Sequence, residues 1–133
     1  MANSHQTVSP APPSGYAGLD LSNQVAVVTG AMSDMGAAVV NLLVARGAQV
    51  VAADLATVGT TSIEHGIAIH SDVGDEASVI ATIAAARELG PVTMLVNVAA
   101  ATGMAQVMAD TEITEMDPAV WDAAYAINAR GAC

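Results

Sequence analysis

The sequence predicts an α/β fold, an open parallel sheet with helices on both faces. Three observations carry that prediction. Short β-branched runs of strand length alternate with longer stretches of helical periodicity. Glycine, or a Gly-Pro pair, stands where each of the first two helices should stop. An apolar share of 53% against 12% charged residues belongs to a chain with a core to bury, and 133 residues give room for one domain.

The elements follow in order. Residues 1–18, rich in Ser, Pro, Ala and Gly, have too little to bury to offset their ordering entropy and are expected to form a flexible arm. The folded domain is expected over 19–133. Residues 24–29 (QVAVVT) read as a buried strand ending at Gly30. Residues 35–46 carry apolar side chains at Val39, Val40 and Leu43 beside Gly36, a helical stripe, with Gly47 as the stop. A second strand is expected at 49–54 (QVVAAD) and a third at 66–70 (GIAIH). A helix should then span 75–89, with Asp75 and Glu76 at its positive end and Gly90-Pro91 ending it. Residues 92–98 (VTMLVNV) are the fourth strand. Asp117-Pro118, a cap followed by a first-turn proline, starts a last helix that carries Trp121, Tyr125 and Asn128 on one face. No strand follows it, so the sheet reads as truncated after the fourth strand and the helix behind it.

Charge narrows the function. Thirteen acidic residues against three basic ones, none of them Lys, give a formal net charge of -10. Such a surface repels phosphate backbones and anionic membranes, so neither nucleic acid nor membrane is an expected partner. Without Lys there is neither a P-loop nor a Schiff base. No apolar run approaches the roughly 18 residues of a membrane span. A single cysteine, Cys133, allows no internal disulfide, and no secretory signal is legible, so the cytoplasm is the expected location. Metal binding is not expected: Asp110, Glu112, Glu115 and Asp117 read as a solvated acidic loop, and His65 and His70 lack a cysteine partner. The seven methionines read chiefly as core filling.

The most informative segment is 27–38 (VVTGAMSDMGAA), where a strand runs through a glycine turn directly into a helix. First-turn amides and the helix dipole favour an anion there, and glycine lets a pyrophosphate approach the backbone. Asp54 ends the next strand, near the spacing at which a carboxylate accepts hydrogen bonds from an adenosine ribose. The plainer reading makes Gly30 and Gly36 a tight connection and Asp54 a strand-end turn residue. The order strand, glycine turn, helix, strand, acid favours a dinucleotide.

At these residues the chain resembles the short-chain dehydrogenase/reductase superfamily, N-terminal half. Thr29, Gly30 and Gly36 match its T-G-x-x-x-G-x-G motif, with Asp34 in place of the middle glycine. That substitution adds a negative charge near the expected pyrophosphate, and an Asp at this turn is expected to tolerate a left-handed backbone. Asp72-Val73 is similar to the pair that holds the adenine. Residues 95–100 (LVNVAA) resemble L-V-N-N-A-G, keeping Asn97 and Ala99. The stretch from Trp121 to Gly131 resembles W-x-x-x-x-x-x-N-x-x-G.

The resemblance implies a Rossmann-like fold and a nicotinamide dinucleotide. The expected cofactor contacts are Gly30, Met32, Ser33, Met35 and Gly36 in the turn, then Asp54, Leu55, Asp72, Val73, Asn97 and Ala99, with Met32 and Met35 covering part of the cofactor. Asn128 is expected to support the proton relay. NAD is expected over NADP, because Asp54 would repel a 2'-phosphate. The implied reaction is hydride transfer between the nicotinamide and a small alcohol or carbonyl in an intact parent, itself expected to be a homo-oligomer. The family's catalytic Ser, Tyr and Lys are expected beyond Cys133, so this chain alone should be inactive. The alternative is a non-catalytic nucleotide-binding or interaction module from a truncated gene product. The fourth strand's open edge predicts self-association of the isolated chain.

Overall fold

The computed structural model describes residues 18–101, 108, 109, 112 and 114–133. Residues 1–17 of the arm expected at 1–18, and Asp110 of the acidic loop, lie outside them. Strands β1 (Val25–Thr29), β2 (Gln49–Asp54), β3 (Thr60–Ile63), β4 (Gly66–His70) and β5 (Val92–Asn97) form one sheet in the order β3-β4-β2-β1-β5. Helix α1 (Asp34–Ala45) joins β1 to β2, α2 (Glu76–Leu89) joins β4 to β5, and α3 (Pro118–Asn128) leads into a 3-10 turn, Arg130–Ala132.

β1 pairs in parallel with β2 on one side and β5 on the other, and all five of its residues are buried. Alternate residues face opposite sides, so each face of the sheet takes its own helix. Val39, Val40, Leu43 and Val44 of α1 pack on Ala26, Val28, Val50 and Ala52. Ile83, Ala86 and Leu89 of α2 pack on Val25, Val27 and Val51 of the opposite face. Burying a Val in this way stabilises by roughly 1.5–3 kcal/mol.

The expected open sheet is present, with one strand more than the sequence reading named. The sheet is mostly parallel: between β2 and β4 the chain makes a short strand, β3, antiparallel to β4. Ile63 pairs with Gly66 across a two-residue loop in which His65 takes a left-handed backbone, φ 54°. With only 55–65 to make the crossover, there is little length for a helix. The signal was present in Thr60, Thr61 and Ile63, a β-branched run between Gly59 and Gly66.

Helix boundaries follow local chemistry. The Ser33 side chain accepts from the Gly36 amide at the start of α1, and the Gly47 and Ala48 amides return to the Val44 and Leu43 carbonyls at its end. Asp75 caps α2 and Asp117 caps α3, accepting from the Ser78 and Ala119 amides. Ahead of β1, the Ser22 hydroxyl and amide donate to Asp20 and hold its carboxyl below the usual carboxylate range. The expectation of methionines as core is corrected at Met108, while the exposure of Met32 and Met35 agrees with their expected place at the turn. Met94 packs on the core, but Met32, Met35 and Met108 are 62%, 69% and 73% exposed.

Candidate functional site

The site grows from the end of β1. Gly30 has φ 66°, a backbone that L side chains rarely adopt, and a Cβ there would lie 2.6 Å from the Ala99 nitrogen. The segment leaving β5 therefore passes directly against the turn. The Thr29 hydroxyl fixes that approach by accepting from the Val98 and Ala99 amides at 3.2 and 3.3 Å. Ser33 donates its hydroxyl to the Gly30 carbonyl at 2.7 Å and accepts from Gly36 at 3.1 Å. A methyl on Gly36 would fall on the Gly30 carbonyl oxygen, so this glycine lets α1 begin tightly against the strand end.

Ser33 occupies the Gly36 amide through its side chain and the Ala37 amide through its carbonyl. The Asp34 and Met35 amides remain as donors at the positive end of α1. Asp34 is its exposed first residue and has no left-handed backbone. The conformational tolerance expected of it is not called upon; its charge instead suits the helix dipole.

Asp54, at the end of β2, braces the turn. Its Oδ2 accepts from the Met32 amide at 2.9 Å and its Oδ1 from the Ala56 amide at 2.8 Å. A carboxylate has about four acceptor positions, so both oxygens keep capacity toward a ligand. At the end of β4, the Asp72 amide donates to the Ser78 hydroxyl at 2.9 Å, and Asp72 Oδ1 accepts from Gly74 at 2.8 Å. Beneath this corner the Thr82 hydroxyl donates to buried Ser71 at 2.9 Å.

These strand ends enclose a cleft of about 190 Å³. Gly30, Ser33, Asp54, Leu55, Asp72, Val73 and Ala99 line it, all of them expected from the sequence. It is smaller than the roughly 300–1,000 Å³ of pockets that enclose drug-sized ligands, so it has room for one end of a dinucleotide.

The short chain dehydrogenase family model matches residues 24–133. The chain belongs to this family. It is 36% identical over 122 residues to D-threitol dehydrogenase of Mycolicibacterium smegmatis, which covers 84% of this chain and 44% of that protein. It is 37% identical over 114 residues to acetoacetyl-CoA reductase of Synechocystis sp., covering 85% and 44%. A solved short-chain dehydrogenase/reductase of Serratia marcescens superposes with a TM-score of 0.70 at 26% identity, covering 84% of this chain and 48% of that one. The chain thus spans about half the length of the relatives it matches. Dehydrogenases of this family typically use a nicotinamide cofactor and small substrates. No helix among the described residues is long and apolar enough to cross a membrane.

Within the short-chain dehydrogenase motifs, other expected residues sit apart from the cleft lining. Met32 and Met35 flank the lining residue Ser33 in sequence and are exposed, and Gly36 packs against the Gly30 carbonyl and Ala31. Asn97 points its amide at the Ala132 carbonyl, 3.0 Å away. Asn128 accepts from the Ala101 amide at 2.7 Å, tying α3 to the segment after β5, and shares a shallow hollow with Trp121 and Tyr125. Ser71, Val98, Ala100 and Ile127 line the cleft without having been singled out. Val98 and Ala100 occupy the two positions where LVNVAA departs from the family pattern, and they make that wall more apolar.

Proposed function

We propose that residues 19–133 form the cofactor-binding part of an NAD(H)-dependent oxidoreductase whose whole chain transfers a hydride between nicotinamide and an alcohol or carbonyl. The observation that supports this most is the single cleft into which the Gly30 turn, the Asp54 carboxylate and the Asp72-Val73 corner all open.

The donor set suits the group. The Asp34 and Met35 amides are placed to hold a pyrophosphate at the helix end. Asp54 has lone pairs left for ribose hydroxyls after accepting from Met32 and Ala56. Leu55 and Val73 offer apolar walls for an adenine, while Ala99 and Val98 close the side toward β5. Bound there, the nicotinamide supplies the centre that gives or takes the hydride.

A proton must move alongside the hydride, and the sequence holds no Tyr-Lys pair to move it. Free Tyr titrates near about 10 and needs a neighbouring cation to work at neutral pH. The chain has no Lys, and Tyr125 lies on α3 with Ala129 four residues on. In this reading residues 1–133 by themselves bind cofactor without turning it over, and Asn128 keeps a supporting role beside the relay. The cytoplasm and a homo-oligomeric whole protein belong to the same proposal.

Calorimetry with NADH and NADPH tests it. NADH should bind more tightly, and Asp54→Asn should weaken NADH roughly tenfold, the loss of one charge-assisted hydrogen bond. Tighter NADPH binding, or an unchanged NADH affinity in Asp54→Asn, would sink the assignment. Purification-tracking reduction of NAD by residues 1–133 over a panel of alcohols would overturn the inactivity.

A further inference from the structure

Met32 and Met35 stand on either side of the Ser33 cap with side chains 62% and 69% exposed. The turn does not depend on those side chains. It is held by the Ser33 hydroxyl and by the Asp54 carboxylate on the Met32 amide. Met94, by contrast, packs on the core. Two exposed methionines therefore belong to the turn whose Asp34 and Met35 amides are the candidate phosphate donors.

We propose that Met32 and Met35 are an oxidation-sensitive element of the cofactor site, each taking an oxygen from a hydroperoxide to give a sulfoxide that lowers dinucleotide affinity. This rests on the cofactor reading above. A sulfur lone pair attacks one peroxide oxygen, an S–O bond forms and the O–O bond breaks. The sulfur is oxidised by two electrons while the peroxide is reduced to water or an alcohol, which takes the proton.

The product is polar where the thioether was apolar. Its oxygen is a strong hydrogen-bond acceptor beside the Asp34 and Met35 amides, so it competes with phosphate oxygens for them. It also sets the negative end of a dipole next to an anionic group. Sulfoxide reduction by a methionine sulfoxide reductase restores the original surface.

The test treats the full chain with hydrogen peroxide, maps oxidation by peptide mass and titrates NADH by calorimetry. Met108, 73% exposed and remote in sequence from the glycine turn, is the internal reference. Met32 and Met35 should oxidise about as readily as Met108 and ahead of Met94. The NADH Kd should rise roughly tenfold, the scale of one hydrogen bond to a charged group, and recover after the reductase. A Met32→Leu, Met35→Leu double variant should keep whatever affinity it has through the same peroxide exposure.

Oxidation at both residues with unchanged NADH affinity overturns the inference, as does an equal peroxide loss in the double variant or slower oxidation than at Met94. Absence of NADH binding before any peroxide overturns the cofactor reading itself, and this inference with it.

Discussion

β1 and β5 are neighbours in the same sheet, paired in parallel, and both are apolar in sequence, yet they live in different surroundings. β1 is buried at every residue because it has a strand on each side and a helix on each face. β5 alternates between half-buried and exposed: Met94 and Val96 turn to the α1 side, while Thr93, Leu95 and Asn97 stand in solvent. A hydrophobic run thus identifies a strand, and the number of its neighbours decides how much of it is covered. The cleft spans this boundary. Its β1 and β2 side is fixed by packing, its β5 side by a few polar bonds through Thr29 and Asn128.

Substitutions can break or sharpen that contrast. The largest effect is expected at Gly30→Ala, which combines a left-handed backbone with a clash on Ala99. The two together should cost about 3 kcal/mol in urea unfolding. Val27→Ala empties a site 1% exposed and should cost about 2 kcal/mol with an unchanged denaturant slope. Thr29→Val removes the acceptor of the Ala99 amide and should cost about 1–2 kcal/mol, read together with faster hydrogen exchange at Ala99 and unchanged exchange at Val51. Leu95→Ala, at a residue 55% exposed, should stay within about 0.5 kcal/mol of the parent. A Leu95→Ala cost equal to that of Val27→Ala would show that β5 is covered in solution and would end the contrast.

What was legible in the sequence follows the range of the interactions concerned. The glycine turn, the Asp117-Pro118 start and the four longer strands are written within a few residues of themselves and were read, whereas the Ser33 cap, equally local, was named only as a cofactor contact. β3 was not read, although its β-branched run lies between two glycines, because only four residues carry the signal and an antiparallel edge strand broke the expected strand-helix order. Ile127 in the cleft wall and Ala101 as the partner of Asn128 depend on α3 coming back to the end of β5, which no local pattern encodes. Asp34 was read as a tolerated turn residue that adds a negative charge near the expected pyrophosphate. The structure starts α1 one residue earlier than expected, and the same side chain becomes a favourable first-turn acid.

The β3-β4 hairpin also orders events in time. Its strands meet across two residues, and hairpins of this kind form in about 1–10 μs. The pairing that completes the cleft instead requires Val25 to find Val92 across the rest of the domain, a closure whose entropy must be lost before its contacts form. The outer edge of the sheet is therefore expected to assemble early, and the wall formed by Val98 and Ala99 late. A chain caught between those two steps has secondary structure and a hairpin but no place for a ligand, so ligand binding in a refolding experiment marks the docking of β5 onto β1.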